Sequence, residues 1–265
     1  MKKIVSFSPT FEADVNIFQF EPLTQELINA ILQAKAVIFP PSITSEVYFF
    51  VKNLNIPVFP EYTYRFMYPG KVGQTLLLKS LNLPHPKTII IPRICGLEEN
   101  PYERELKLSF PLVLKGNFGD EGSEVFLINN KEEFYQTLKL VKKWELSGKF
   151  GFLLQEYIEN SFDARAVVIG DWIGVYFREG GFKKNIVQEG RLIPPPDKNL
   201  EEKVIELTKL IVKKTGFNLV AIDFLFKKDE PLVCEFNFTF GRRLVGEELY
   251  QTLLIKAIRE FLKKV

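Results

Sequence analysis

The stretch that most limits how this chain can fold is residues 219–239, LVAIDFLFKKDEPLVCEFNFT. It predicts two strands, residues 219–226 and 232–238, because both are rich in β-branched and aromatic residues and a charged turn with Pro231 separates them. Side chains alternate between the two faces of a strand, so each strand divides into two rows. One row of the pair is apolar, and the other row contains the acidic residues.

The apolar row predicts the side of the hairpin that packs in a core. Its members are Val220, Ile222, Phe224 and Phe226 on the first strand, and Leu232, Cys234, Phe236 and Phe238 on the second. This assignment makes Cys234 a small buried residue, which is the common situation of a free thiol.

The opposite face of the hairpin carries Asp223, Glu235 and Asn237. If the turn is symmetric about Asp229, Asp223 lies directly across from Glu235. Opposed Cβ atoms are about 4.5–5.5 Å apart, and like charges there repel each other. A cation would relieve the repulsion, and such oxygen ligands suit Mg²⁺, which takes one or two carboxylates together with substrate phosphates. A solvated outer face is the alternative explanation.

A second informative stretch is residues 110–128, FPLVLKGNFGDEGSEVFLI. It predicts a strand, a glycine-rich turn and a returning strand. The glycines at 116, 119 and 122 let the loop backbone approach a ligand closely, and backbone N–H groups in such loops can hold phosphate. Lys115, at the end of the strand, can reach a phosphate oxygen. The alternative is an ordinary hairpin with a long turn, which the acidic residues at 120, 121 and 124 favour.

Composition excludes several classes of protein. The 265 residues are 46% hydrophobic, which supports a proper core in one to three domains. No apolar run reaches about 18 residues, so we expect no membrane span. The net charge is +2 with acids and bases mixed, which marks neither a nucleic-acid nor a membrane surface. The N-terminal residues lack the apolar core of a signal peptide.

The reactive residues are few. His85, the single histidine, lies between two prolines without a nucleophile motif, so hydrolytic triads and histidine zinc sites are set aside. Cys95 and Cys234 give neither a disulfide framework nor a metal spacing. A reducing, cytoplasmic location is therefore expected.

The remaining elements follow from apolar periodicity and from capping residues. Helices are predicted at residues 23–34, 44–54, 70–83, 130–146, 200–215 and 246–264. Strands are predicted at residues 4–8, 36–39, 56–59, 88–91, 152–158, 164–169 and 172–178. A charged helix-like patch at 98–108 and a basic loop at 180–192 are also expected. The alternation of strands and helices near the N-terminus indicates a parallel α/β unit, and without a glycine-rich dinucleotide fingerprint NAD binding is disfavoured.

In this order, the segments resemble the ATP-grasp superfamily and, within it, the RimK-type carboxylate–amine ligases. The similar pieces are GKVGQTLLLKSLNLPHPKT, FPLVLKGNFGDEGSEV, LLQEYIE, DARAVVIGDWIGVYFRE, FKKNIVQEG and AIDFLF…LVCEFNFT. The resemblance covers nearly the whole chain and is clearest from residue 70 to residue 239. It implies a mixed α/β (α+β) ATP-grasp fold. The implied domains are a small N-terminal parallel α/β domain (1–84), a central domain with a glycine-rich lid (85–160) and a C-terminal antiparallel sheet domain (161–265).

The resemblance also implies roles for individual residues. ATP contacts are implied for Lys71, Lys115, Gly116, Gly119, Gly122, Gln155, Glu156, Tyr157, Glu159, Asp163 and Lys184. Contacts to the transferred phosphate are implied for Arg165, Arg178 and Asn185. Asp223, Glu235 and Asn237 would bind two Mg²⁺ ions, which Mn²⁺ could replace.

Each of these roles has a structural alternative. Lys71 could be a solvated lysine at a helix start, and Arg165 and Arg178 could form structural ion pairs within a hairpin. Glu156 and Glu159 could be edge-strand charges, and the lysines at 183 and 184 could belong to a solvated loop.

The implied activity is an ATP-dependent, amide-forming ligase that works through an acyl-phosphate. Its partners would be a small carboxylate and an amine, including an amino acid, and no nucleic acid or membrane. A kinase-like phosphotransferase and a non-catalytic ATP-binding module are the alternatives. Glu124 and the segment 241–243 depart from the family pattern, so the substrate cannot be transferred by analogy. The 25 phenylalanines suit the interface of a homo-oligomer as well as a core, which leaves the oligomeric state open.

Overall fold

The computed structural model describes residues 3–18, 21–98, 109–119, 123–159, 161–179 and 191–265. The strands are β1 (Lys3–Ser6), β2 (Val15–Asn16), β3 (Ala34–Ile38), β4 (Val58–Phe59), β5 (Thr88–Ile91), β6 (Leu112–Gly116), β7 (Val125–Ile128), β8 (Phe152–Glu156), β9 (Phe162–Ile169), β10 (Trp172–Glu179), β11 (Leu192–Ile193), β12 (Leu219–Lys227) and β13 (Glu230–Asn237). The helices are α1 (Gln25–Leu32), α2 (Ser45–Asn53), α3 (Thr63–Met67), α4 (Gly70–Ser80), α5 (Cys95–Glu98), α6 (Lys131–Leu146), α7 (Lys198–Thr215), α8 (Glu247–Lys263) and a 3₁₀ helix (Arg242–Leu244). Residues 99–108 of the predicted charged patch and residues 180–190 of the predicted basic loop lie outside the described residues.

The N-terminal sheet is parallel, with the strand order β2-β1-β3-β4. This confirms the α/β unit expected from the alternation of strands and helices. Helix α1 begins after Thr24, whose hydroxyl accepts a hydrogen bond from the Leu27 N–H at 3.3 Å. The two residues of β2 and the five of α3 were not predicted, because segments this short carry no periodicity.

The central sheet is antiparallel, with the order β5-β8-β6-β7. Helix α6 packs Phe134 and Val141 into the core of this sheet. Its start follows from the sequence, because the Asn130 side chain accepts a hydrogen bond from the Glu133 N–H at 3.0 Å.

The C-terminal sheet is antiparallel, with the order β11-β10-β9-β12-β13. One face packs on α7, through side chains that include Ala164, Ala166, Val168, Val220, Ile222 and Phe224. The other face packs on α8, through Val167, Ile169, Leu219 and Ala221. Helix α7 ends where Gly216 takes a left-handed conformation (φ 74°), as its predicted C-cap role requires.

The turn between β12 and β13 is shorter than the predicted turn symmetric about Asp229. Lys227 pairs with Glu230, so the turn consists of Lys228 and Asp229 alone. Both have positive φ angles, 52° and 60°. Two-residue turns of this kind match the twist of paired strands.

A β-bulge in the hairpin then changes its register. A two-residue turn alone would place Cys234 opposite Asp223, but the register shifts beside Asp223 and Glu235 takes that position. The predicted pairing of Asp223 with Glu235 is therefore confirmed, although the turn that was expected to produce it is not the one observed. A bulge sets two residues of one strand against one of its partner and re-aims the side chains.

The bulge also corrects the predicted apolar row of β13. Val233, Phe236 and Phe238 are buried in the core, whereas Leu232 and Cys234 are only half-buried. Strict alternation placed Cys234 and Leu232 in the core. The extra residue of the bulge reverses the faces on the turn side, so Val233 replaces them.

The N-terminal and C-terminal sheets share one hydrophobic core. The ring of Phe238, just after β13, lies 5.5 Å from the ring of Tyr62 and 5.0 Å from that of Phe217, measured between centroids. Helix α4 contacts both β8 and β13 and so links the central and C-terminal sheets. In the described ranges, no helix has an apolar stretch long enough to span a bilayer.

Candidate active site

One face of the C-terminal sheet packs on α8, and the side chains on that face become polar toward one end of the strands. On this face of β9, Ile169 and Val167 contact α8. The next two side chains on the same face are Arg165 and Asp163, which lie beyond the part of the strand that contacts α8. On β12 the same face runs from Leu219 and Ala221 to Asp223. The alternation in DARAVVI thus places apolar residues under the helix and charged residues beside it.

Two arginines and two aspartates form a network across strands β10, β9 and β12. Arg165 binds Asp223 through two hydrogen bonds, Nε–Oδ1 at 2.7 Å and Nη2–Oδ2 at 2.8 Å. Arg178 donates to Asp223 Oδ1 at 3.1 Å and to Asp163 Oδ1 at 2.6 Å. The structural ion pairs considered for Arg165 and Arg178 are therefore present, and they hold both arginines next to the predicted metal ligand.

Burial and nearby charges shift the pKa values of the two aspartates in opposite directions. Burial would raise the pKa of Asp223, but the hydrogen bonds and charges of Arg165 and Arg178 outweigh it, and the pKa is lowered. For Asp163, burial outweighs the contribution of Arg178, and the pKa is raised. The contacts with the two arginines therefore favour the ionised form of Asp223.

The predicted metal ligands lie together. Asn237 Nδ2 donates to Asp223 Oδ2 at 2.9 Å, and Glu235 is paired with Asp223 across the ladder. Two carboxylates and an amide form a donor set that Mg²⁺ accepts when phosphate oxygens complete its shell. Both Asp223 oxygens already accept two hydrogen bonds each, and turning the Asn237 amide would free a position on Oδ2 and direct the Asn237 Oδ1 toward it. The described residues contain no group of three or more His, Cys, Asp or Glu side chains suited to a metal ion.

A cleft between the central and C-terminal sheets contains the predicted phosphate-binding lysines and Glu235. It is lined by Lys71, Gln74, Thr75, Leu78, Lys115, Leu153, Gln155, Cys234 and Glu235. Helix α4 and strands β6, β8 and β13 contribute these side chains. The bulged Cys234 thus faces this cleft, and burial raises the pKa of its thiol.

The two lysines differ in their partners. Lys71 Nζ donates to the Gly119 carbonyl oxygen at 2.6 Å and lies 3.4 Å from Glu235 Oε1. Its side chain is 14% exposed, so it is not the solvated helix-start lysine of the alternative explanation. Lys115 Nζ lies 3.5 Å from Cys234 Sγ and has no carboxylate within ion-pair distance among the described residues. Lys115 is thus a cation in the cleft that forms no ion pair with the described residues, although Glu235 lines the same cleft.

The glycine-rich turn is built against Glu124. A Cβ atom on Gly116 would lie 2.2 Å from Glu124 Oε2, and one on Gly119 would lie 2.5 Å from Glu124 Cβ. Both positions therefore require glycine. Glu124 is buried and pairs with Lys149 at 2.6 Å, so its charge is compensated within the protein. Gly122 lies outside the described residues.

Asn117, which was not predicted, ties this turn to the start of α4. Its carbonyl oxygen accepts from the Lys71 N–H at 2.9 Å, and its Oδ1 accepts from the Val72 N–H at 3.0 Å. Its Nδ2 donates to the Phe150 carbonyl oxygen at 3.1 Å. These side-chain partners lie 45 and 33 positions away in the sequence, so no local pattern indicated the role of Asn117.

Gln74, also missed, holds the open edge of β13. Its Nε2 donates to the Phe236 carbonyl oxygen at 2.9 Å, and its Oε1 accepts from the Phe236 N–H at 2.8 Å. The Val233 N–H donates to the Pro84 carbonyl oxygen at 2.9 Å. Because Phe236 lies between Glu235 and Asn237, Gln74 fixes the backbone that carries two predicted metal ligands.

The residues predicted to contact adenine and ribose lie at the end of β8. Glu156 accepts a hydrogen bond from the Lys87 N–H at 2.8 Å and pairs with Lys227, which joins β8 to β12. Gln155 donates to Thr88 Oγ1 at 2.9 Å and lines the cleft. Tyr157 and the exposed Glu159 follow the strand.

Three residues with predicted contacts to ATP or to its transferred phosphate are not placed in the cleft or at the end of β8. Asp163 is bonded within the arginine network rather than at the end of β8. Lys184 and Asn185 lie outside the described residues. Their roles stay predictions.

The RimK-like ATP-grasp domain family matches residues 73–259, well over half of the chain. The chain belongs to the RimK-like ATP-grasp family. Membership confirms the resemblance from which the fold was predicted, and it makes the protein an ATP-grasp ligase that binds ATP.

Two curated relatives of this RimK-like protein are named as ligases. The chain is 27% identical over 194 residues to alpha-aminoadipate–LysW ligase LysX of Saccharolobus solfataricus, covering 71% of this chain and 68% of the relative. It is 29% identical over 185 residues to coenzyme gamma-F420-2:alpha-L-glutamate ligase of Methanocaldococcus jannaschii, covering 63% of this chain and 57% of the relative. The second match therefore spans less than two thirds of that relative.

Solved structures share the fold of this RimK-like chain. D-alanine–D-alanine ligase from Bacillus anthracis superposes with a TM-score of 0.66 at 17% identity, over 94% of this chain and 85% of that one. A RimK domain ATP-grasp protein from Sphaerobacter thermophilus superposes with a TM-score of 0.58 at 17% identity, over 85% and 81% of the two chains. The predicted ATP-grasp fold is confirmed.

Proposed function

We propose that this ATP-grasp ligase joins a small-molecule carboxylate to an amine, with the phosphates of ATP held in the cleft between α4, β6, β8 and β13. The observation that carries the proposal is the convergence of Lys71, Lys115 and Glu235 in that cleft, where Lys115 has no carboxylate partner among the described residues. Lysine ammonium groups bind phosphate oxygens as point charges. An acidic amino acid, which both relatives carry in their names, is a suitable class of substrate.

The metal part of the proposal places Mg²⁺ at Asp223, Glu235 and Asn237, with two ions and with Mn²⁺ as a substitute. When bound, Mg²⁺ would neutralise phosphate charge. Asp223 suits this role because its lowered pKa keeps it ionised, and Glu235 suits it because its carboxylate borders the lysine cleft. Arg165 and Arg178 hold Asp223 in place and supply positive charge near the transferred phosphate.

The reaction needs no nucleophile from the protein. A carboxylate oxygen of the substrate attacks the γ-phosphorus, and the bond from that phosphorus to ADP breaks. The amine then attacks the acyl carbon, phosphate leaves, and the nitrogen loses a proton. The side chains of the cleft contribute by positioning and by electrostatic stabilisation. The glycine-rich turn would exclude water from the acyl-phosphate.

The finer assignments belong to the same proposal. Gly116, Gly119 and Gly122 would approach the phosphates, with Lys184 and Asn185 near the γ-phosphate. The end of β8 would bind adenine and ribose. We also propose the domain division 1–84, 85–160 and 161–265. A cytoplasmic location is supported by the free thiols of Cys95 and Cys234.

The test is a screen for ADP release with Mg²⁺ and ATP over pairs of amino acids, small carboxylic acids and amines. We expect at least one acid–amine pair to release ADP and form an amide, and Lys115→Ala to lower the rate at least a hundredfold. Lys209→Ala, which removes an exposed lysine from α7, is the matched control and should leave the rate unchanged. ADP release with a phosphorylated product and no need for an amine would indicate a phosphotransferase instead. Tight ATP binding without turnover of any pair would indicate a binding module.

A further inference from the structure

Arg65 in α3 is a half-buried cation, and the described part of the chain offers it no acidic partner. Its Nη1 donates a hydrogen bond to the Pro41 carbonyl oxygen at 2.6 Å, and the Tyr62 hydroxyl group interacts with the guanidinium. A guanidinium group has five N–H donors, so most of its donors lack a protein acceptor. Burial lowers the pKa of Arg65, which reflects the cost of taking its charge out of water. Binding of an anion would offset that cost.

Three aromatic rings hold the guanidinium group in place. Its Cζ atom lies 4.7 Å from the ring centroid of Tyr62, 4.9 Å from that of Phe66 and 5.3 Å from that of Phe238. These distances are in the range of cation–π contacts. The rings position the guanidinium without neutralising it, so its donors stay in a defined place for a ligand.

The location of Arg65 connects it to the proposed reaction. Phe238 directly follows the proposed metal ligand Asn237, and although their side chains point to opposite faces, the contact with Phe238 sets the guanidinium near the end of β13. Pro41 follows β3 at the carboxyl edge of the N-terminal sheet. In the strand order β2-β1-β3-β4, the chain goes from one side of β1 to the other, so the order reverses beside β1. Open α/β sheets bind ligands at the carboxyl edge of the strands where the order reverses.

We propose that Arg65 binds the non-reacting carboxylate of an amino acid or dicarboxylic acid substrate. The inference rests on the proposed ligase function, because it assigns one end of that reaction's substrate. Arg65 is not among the residues that line the lysine cleft, so we assign to it the end of the substrate that does not react with the γ-phosphate. The substrate therefore needs two ionised groups, one bound here and one that reacts. Arginine suits a carboxylate because its planar fork forms two parallel hydrogen bonds.

Steady-state kinetics with the substrate pair found in the ADP-release screen test this assignment. Arg65→Ala should raise KM for the amino acid or dicarboxylic acid at least tenfold and leave KM for ATP within twofold. Arg65→Lys keeps the positive charge but loses the planar guanidinium fork, so it should raise KM for the same substrate by a smaller factor than Arg65→Ala. Arg93→Ala is the matched control, because Arg93 also stacks on a ring (Phe150, 4.3 Å) but is exposed and paired with Glu145. It should change neither KM.

A second measurement does not depend on turnover. Thermal unfolding is followed with each amino acid and dicarboxylic acid of the screen, L-glutamate and glutarate among them, in the presence of Mg²⁺ and ADP. We expect at least one to raise the unfolding midpoint of the wild type but not that of Arg65→Ala, or of Arg65→Lys if the alanine variant does not fold. Equal shifts in wild type and variant, or no shift with any compound, would overturn the assignment.

The outcomes separate this inference from the proposed function. A rise in KM for ATP with an unchanged KM for the acid would make Arg65 a phosphate contact and overturn the assignment. Arg65-dependent carboxylate binding without ADP release from any pair would overturn the ligase proposal and support the carboxylate site.

Discussion

Glu61 connects β4 to the helices on either side of it. Its Oε2 pairs with Lys52 Nζ at 2.6 Å, and its Oε1 accepts from the Tyr48 hydroxyl and the Thr63 N–H, both at 3.0 Å. Burial would raise the pKa of Glu61, but Lys52 and Thr63 outweigh it, and the pKa is lowered. Because Thr63 begins α3, this carboxylate fixes the segment that carries Arg65.

Glu61→Gln should lower the free energy of unfolding by about 2 kcal/mol near neutral pH, because it removes a part-buried charged contact. A carboxyl group whose pKa is lowered on folding stabilises the protein above its unfolded-state value of about 4.3 and loses that effect as the pH falls through the folded-state value. The difference between wild type and variant should therefore be constant near neutral pH and shrink below about pH 4. Urea unfolding at a series of pH values measures it.

The control for this prediction is Glu260→Gln. Glu260 has a side chain that is 43% exposed and pairs with Lys263 at 2.7 Å, an arrangement that contributes little to stability. If the stability difference for Glu61→Gln persists undiminished well below pH 4, the charge of Glu61 is not what stabilises the fold.

Tyr62 has a fully buried hydroxyl group that makes no well-aligned hydrogen bond to residues with described positions, although it interacts with the Arg65 guanidinium. Tyr62→Phe should therefore raise the free energy of unfolding by about 1 kcal/mol, because it removes a desolvated polar group and keeps the ring. Tyr48→Phe is the contrasting variant, since that hydroxyl donates to Glu61 and accepts from the Tyr62 N–H at 2.9 Å. It should be destabilising by about 1–2 kcal/mol. Urea midpoints measure both changes, and a destabilised Tyr62→Phe would mean that the hydroxyl is hydrogen-bonded.

For single residues, the sequence predicts those whose role depends on neighbours in the sequence. Lys115 ends a strand before a glycine turn, and Asp223 and Glu235 lie on the acidic row of one hairpin, so short patterns were sufficient to find them. Arg65 and Gln74 could not be found in this way, because their partners are distant in the sequence. Only the packing of α3 and α4 against β13 brings them there.

Strand β13 is an edge strand whose backbone is bonded by a glutamine side chain instead of another strand. Gln74→Ala should lower the free energy of unfolding by about 2 kcal/mol, because it removes both hydrogen bonds to Phe236. It should also raise the Mg²⁺ concentration needed for half-maximal ADP release, because Glu235 and Asn237 flank Phe236. Urea unfolding and a Mg²⁺ titration of ADP release measure the two effects.

Gln251→Ala is the matched control for this change. Gln251 lies exposed on α8 and bonds only Glu247, at 3.0 Å, among the hydrogen bonds found in the described ranges. Neither the free energy of unfolding nor the Mg²⁺ requirement of ADP release should change in this variant. A Gln74→Ala protein that is less stable but has an unchanged Mg²⁺ requirement would limit Gln74 to a structural role.

Regular elements could be predicted from periodicity, whereas irregular ones could not. The sequence predicted α6, and it predicted α7 together with its C-cap Gly216. It failed at the bulge beside Asp223, because an alternating pattern does not mark where one extra residue enters a strand. That single residue moves Cys234 from the core to the cleft.

The whole molecule places its candidate chemistry where separate sheets meet. The cleft takes Lys115 from the central sheet, Lys71 from α4 and Glu235 from the C-terminal sheet, while Arg65 comes from the N-terminal unit. The order of the segments allowed the family and fold to be predicted. How the sheets pack could not be, because the contacts between them involve side chains that carry no pattern in the sequence.

The most direct test of the proposed metal site is the Mg²⁺ dependence of ADP release in Glu235→Gln and Glu230→Gln. Both residues lie on β13, but Glu230 is exposed and pairs with Lys203 at 2.7 Å, away from the cleft. We expect Glu235→Gln to fold normally and to lose at least a hundredfold in rate at every Mg²⁺ concentration, and Glu230→Gln to match the wild type. Full activity in Glu235→Gln, with an unchanged Mg²⁺ requirement, would contradict the assignment of Asp223, Glu235 and Asn237 to a magnesium site.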